Sequence, residues 1–119
     1  MGGARHAVVV SLTTMAQSAD YRDRADAGRA LAVFADLQQT RKPLLALVLD
    51  SYDTYVTWAT AVALLRRQDK IGYEVISRAL AVADDNTSDW IHTAIREVFI
   101  VYGRERDAAV GECRSLARR

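Results

Sequence analysis

Residues 55–65 are all apolar, aromatic or threonine, and no other feature restricts the possible folds as much. At helical periodicity this run leaves no polar side anywhere round the wheel. A helix of that kind sits inside a structure, covered on both sides. Asp53 is placed to cap such a helix over 54–67, with Arg66 and Arg67 at its negative pole. In a chain of 119 residues, the helix needs amphipathic neighbours to cover it.

Those neighbours are legible on either side. Pro43 is the only proline, no glycine falls between Gly28 and Gly72, and good helix formers fill the body of the chain. No sustained apolar/polar alternation supports a strand. A helix is expected over 20–35, opened by Asp20 and carrying a line of small residues, Ala25, Gly28, Ala32 and Ala35, that admits a close neighbour. Pro43 fits the first turn of a short apolar helix over 44–49, which stops at Asp50.

Asp69 restarts the chain, and Ile71, Val75, Ile76, Ala79, Leu80, Val82 and Ala83 form one stripe. Glu74, Ser77 and Arg78 fall opposite it. The cluster 84–88 reads as a turn and cap. Beyond it Trp90, Ile91, Ala94, Ile95, Val98, Phe99 and Tyr102 share a face, Gly103 ends that helix, and a last amphipathic helix is expected over 105–117. At the start, Val8, Leu12, Met15, Ala16 and Ala19 share a face, so 1–19 is read as helical despite three consecutive valines.

The pattern repeats. Asp20 to Leu31 can be laid over Asp53 to Leu64, keeping the leading aspartate and the closing Ala-Leu, and Asp89 to Phe99 forms a weaker third copy. The offset is roughly 33 to 36 residues, within the range of helix-pair solenoids. The expected architecture is therefore all-α: a short right-handed solenoid, or α-α superhelix, of about three antiparallel helix pairs over 20–50, 53–84 and 87–117. All of it falls within a single domain spanning 1–119.

In Asp53, Val56, Ala59, Ala63 and Leu64 the pattern resembles the HEAT-like repeats, including the short variant named after phycobilisome lyases. Trp90, Ala94 and the run from Gly103 to Ala108 are also similar to a tetratricopeptide first helix and turn, which leaves that reading and a non-repeat bundle open. The HEAT-like resemblance implies an adaptor, scaffold or small regulatory or inhibitory subunit. The phycobilisome-lyase variant also suggests a small-molecule-binding or lyase-like helper.

Residues able to carry chemistry are few. Asp89 and His92 lie one turn apart, but Asp89 is read as a helix cap and His92 as a surface side chain. Asp50, Asp53, Asp84, Asp85 and Asp89 also fit caps and turns, and no calcium-loop spacing is present. Cys113 falls on the apolar side of the last helix as a buried small side chain. Trp58 and Trp90 recur at similar repeat positions and are read as packing between helices. No phosphate loop, nucleophile elbow or metal-binding histidine pair appears, so no catalytic, cofactor or metal residue is assigned.

Sixteen basic residues against fifteen acidic give a net charge of +1. That balance does not favour nucleic acid, although Arg66 and Arg67 and the terminal arginines Arg114, Arg118 and Arg119 are local concentrations. The apolar run 7–10 is too short for a signal-peptide core or a membrane span, so the chain reads as cytoplasmic. The expected role is non-enzymatic binding of a protein partner through the second helices, with Glu74, Ser77 and Arg78 on that surface. Self-association is left open.

Overall fold

Aspartates set where the helices of this chain begin. In the computed structural model, which describes residues 2–100, helix α1 spans Gly2–Met15, and α2 (Tyr21–Val33) follows Asp20, whose carboxylate accepts the Arg22 N–H. A single 3-10 turn, Gln38–Thr40, leads into α3 (Arg41–Val48). Asp53 accepts the Tyr55 N–H at the start of α4 (Thr54–Arg66), and Asp69 accepts the Gly72 N–H at the start of α5 (Lys70–Val82). A sixth helix, α6, runs from 85 to the last described residue, 100. Among the described residues every regular element is helical.

The helices pack in two layers. α2 lies against α4, α3 lies against α5, and α4 touches both α3 and α5. α1 packs on α2, while Ile91, Ala94 and Val98 of α6 join the common core. α4 is central, as its sequence demands: Val56, Ala59, Ala61, Leu64 and Leu65 are all buried. Its sheath is not complete. Tyr55 is exposed and Trp58 partly so, which leaves one narrow strip of the helix facing solvent.

The line of small residues on α2, which ends at Val33 and so leaves Ala35 just beyond it, is what brings α4 in. Ala25, Gly28, Ala32 and Ala35 are all buried. A Cβ on Gly28 would stand 2.1 Å from Thr60 Oγ1 and 3.0 Å from Thr60 Cβ. Alanine normally gains roughly 0.5–1 kcal/mol over glycine inside a helix, but overpacking costs about 1–3 kcal/mol. Since Thr60 Cβ cannot rotate away, the clash dominates. Gly28→Ala is expected to lower the thermal midpoint, and adding Thr60→Ala, which removes the Oγ1 contact but keeps Cβ, should recover part of the loss. A more stable Gly28→Ala protein would mean that the two helices are not in this contact.

A buried ion pair holds the layers at one end. Arg24 Nε donates to Asp50 Oδ2 at 2.8 Å, with side chains only 11% and 6% exposed. Arg24 Nη1 donates to the carbonyls of Ser18 and Ala19, each at 3.0 Å. Asp50 Oδ1 accepts the backbone N–H groups of Tyr52 at 2.9 Å and Asp53 at 2.8 Å. The pair thus ties the α1–α2 turn, α2 and the α3–α4 turn together. At the other end Arg67 donates to the carbonyls of Ala32 at 2.8 Å and Val33 at 3.2 Å. It therefore caps the C-terminus of α2, in addition to ending its own helix.

Several local expectations are corrected. The inward face of α1 is centred on Val9, which is 2% exposed, while Val8 is 45% exposed. α1 also stops at Met15, short of Ala19. α6 starts a turn earlier than expected, because Asp84 accepts the Thr87 N–H at 2.7 Å; Asp84 is its cap, and Asp89 lies inside the helix. Val82 faces solvent where α5 gives way to extended backbone at Ala83, and Trp90 is exposed instead of packed between helices. Tyr102, Gly103, Cys113 and the helix expected over 105–117 lie outside the described residues.

Candidate functional site

The face built from α3 and α5 carries the residues that the sequence singles out. α5 can lie close on α4 because Gly72 has no side chain; a Cβ there would stand 2.3 Å from the Leu64 carbonyl oxygen. Asp69 anchors the start of α5. Burial pushes its carboxyl up, but the Gly72 N–H and the Arg67 guanidinium outweigh that and hold it below the usual carboxylate value. So fixed, α5 buries Val75, Ile76 and Ala79, while Ser77 and Arg78 are exposed and Glu74 is half-exposed.

Glu74 and Arg78 form a ridge between two depressions. One, of about 700 Å³, lies between α3 and α5, with Arg41, Lys42, Leu45 and Val75 among its walls. The other, of about 590 Å³, is lined by Gln68, Lys70, Tyr73 and Ser77. Glu74 Oε2 stands 3.7 Å from Arg41 Nη1, and Glu74 Oε1 is 3.8 Å from Lys70 Nζ. Asp36, on the wall of the first depression, pairs with Arg5 at 3.2 Å. Sequence reasoning missed Arg41 and Lys42; their only local signal is two adjacent cations directly before Pro43.

Of a second cluster, sequence reasoning singled out Trp58 alone. Tyr21 and Tyr55 meet edge to face with ring centroids 5.9 Å apart, and Trp58 lies 5.9 Å beyond Tyr55. The Arg29 guanidinium sits 5.4 Å above the Tyr55 ring and donates to its hydroxyl. Trp58 Nε1 donates to Glu97 Oε2 at 2.7 Å, joining α4 to α6. These rings come from residues far apart in sequence but share the outer side of the α2–α4 layer. The Asp20 and Asp53 caps fix both tyrosines at helix starts.

The candidate acid–base residues are not brought into a site. Asp89 and His92 are both exposed on α6, and the Asp89 carbonyl accepts the Thr93 hydroxyl at 2.9 Å. Among the described residues no three of His, Cys, Asp and Glu gather as a metal site would require, and no helix is long and apolar enough to cross a membrane. A smaller cavity of about 410 Å³ between α1 and α3 is lined by Thr13, Ala16, Pro43, Ala46 and Leu47, with Lys42 and Asp50 also on its wall. Asp50 there is already committed to Arg24.

Fold and site together define a small all-helical protein of two packed layers with a grooved, charged outer face. No protein-family model, no curated protein and no solved structure matches it.

Proposed function

We propose that this chain is a non-enzymatic protein-interaction module, an adaptor, scaffold or small regulatory subunit, whose layout follows the HEAT-like helix-pair pattern. The observation that carries this reading is the Glu74–Arg78 ridge of α5, with depressions on either side. Paired helices of this kind fix charged side chains on a rigid outer face, which suits recognition of another protein's surface. The lyase-like alternative rests on the α1–α3 cavity, where Gln17 and Lys42 are the polar side chains not already bonded among the described residues.

Reversing the ridge, Glu74→Lys with Arg78→Glu, is expected to leave the circular dichroism spectrum and the thermal midpoint close to wild type, because both residues lie on the surface. Affinity capture against wild type should then show specific loss of the native partner. Charge reversal at an interface rim chiefly slows association, and salt screens it, so the loss should shrink as ionic strength rises. Unchanged capture by the folded variant removes this surface from the proposal.

A further inference from the structure

We infer that the groove between α3 and α5 receives an acidic segment of the partner protein, one that carries aliphatic side chains between its carboxylates. This rests on the protein-binding reading and adds the chemistry of what is bound. The groove is about 700 Å³, with Leu45 and Val75 among its lining residues and Arg41, Lys42 and Arg78 as its cations. Its two carboxylates are already engaged: Asp36 with Arg5, and Glu74 between Arg41 and Lys70. Lys42 and Arg78 pair with no acidic side chain among the described residues. With both carboxylates of the groove paired, Lys42 and Arg78 are the charges of its lining left for an incoming group.

The start of α3 points the same way. A helix N-terminus favours acidic side chains, yet α3 opens on Arg41 and Lys42 with no acidic residue in its first turn. Cations there work against folding, and an incoming carboxylate relieves the conflict while gaining charge-assisted contacts. Glu74 answers Arg41 at 3.7 Å, but no carboxylate among the described residues answers Lys42, and a local rule broken there marks a place where an outside partner completes the structure.

Nucleic acid fits the groove less well. Among the described residues no aromatic ring lines it, so bases have nothing there to stack on, and Asp36 and Glu74 interrupt the cationic surface that a phosphate backbone follows. Leu45 and Val75 match aliphatic side chains instead. The tyrosine–tryptophan cluster lies on the other layer.

The test is a fluorescence anisotropy titration of the intact chain with a short fluorescein-labelled peptide rich in glutamate and leucine. Its lysine-for-glutamate counterpart and labelled oligo-dT serve as comparison probes. The acidic peptide should bind at low salt and the lysine peptide should not. Lys42→Glu and Arg78→Glu should each weaken binding about tenfold, as loss of a close charge pair does, while Glu74→Gln should tighten it. Circular dichroism and the thermal midpoint confirm that each variant is folded.

No binding of the acidic peptide, or equal binding by all variants, overturns the inference. So does tighter binding of oligo-dT that is lost in the same variants, which would assign the groove to nucleic acid. Sedimentation showing wild-type oligomers that Arg78→Glu dissociates would assign it to a second copy of the chain, and overturns the inference too. If the peptide fails but the ridge reversal still abolishes capture of the native partner, the interaction module stands and only its acidic ligand falls.

Discussion

Arg24→Met is expected to destabilise the protein by about 3–5 kcal/mol, because it strips a buried carboxylate of its counter-charge. Asp50 is 6% exposed at its side chain and would retain only backbone donors, the Tyr52 and Asp53 N–H groups. The carbonyls of Ser18 and Ala19 would also lose their guanidinium donor. A domain has only about 5–15 kcal/mol to lose, so a large part of the margin goes with one side chain. Urea denaturation of wild type and variant measures the difference directly.

The double change Arg24→Met with Asp50→Leu separates pairing from packing. Removing both charges leaves nothing buried and unpaired, and apolar replacement of a buried pair is often neutral or better. Most of the loss should therefore return, less whatever the α3–α4 turn owes to the Asp50 carboxylate. An Arg24→Met protein as stable as wild type would show that the pair is not buried in solution.

What was legible in the sequence was local. Asp20, Asp53 and Asp69 announce themselves as caps because a capping carboxylate acts within three residues of itself, and the structure uses all three. The small line on α2 and the apolar wheel of α4 are also self-contained signals, and together they produce the central helix contact. The outward position of Glu74, Ser77 and Arg78 followed from the stripe on the other side of α5.

What was not legible depended on competition or distance. Val8, Val9 and Val10 are equally suited to burial, so the sequence has no means of ranking them. The register that wins also carries Arg5 to Asp36 at 3.2 Å and places its guanidinium 5.6 Å from the Phe34 ring centroid. Asp84, Asp85 and Asp89 compete to cap one helix, and only the Thr87 N–H decides for Asp84. Arg24 and Asp50 are 26 positions apart, and Trp58 and Glu97 are 39 apart. No pattern inside either helix marks those pairs before the layers are assembled.

Leu64→Asp should unfold the domain or nearly so at neutral pH. Leu64 has no exposed surface and sits in the core, so the variant loses its apolar burial and gains a carboxyl with no partner. A Leu-to-small truncation alone costs about 2–5 kcal/mol, and burying an unpaired polar or charged group adds several more. Burial favours the neutral acid, which raises the folded-state pKa of the new carboxyl above its unfolded value. The sign of the pH dependence follows. Below the unfolded value, near 3.9, the acid is neutral in both states and the charge penalty is absent. As pH rises the unfolded chain ionises first, and stability falls until the folded-state pKa is passed. The variant should thus be more nearly folded at pH 4 than at pH 7 by circular dichroism, relative to wild type at each pH. Ala63→Glu, at a partly buried position of the same helix, should cost less because the longer side chain can carry its charge outward. Glu74→Ala should cost well under about 1 kcal/mol. If Leu64→Asp proved as mild as Glu74→Ala, this face of α4 would not be buried against its neighbours.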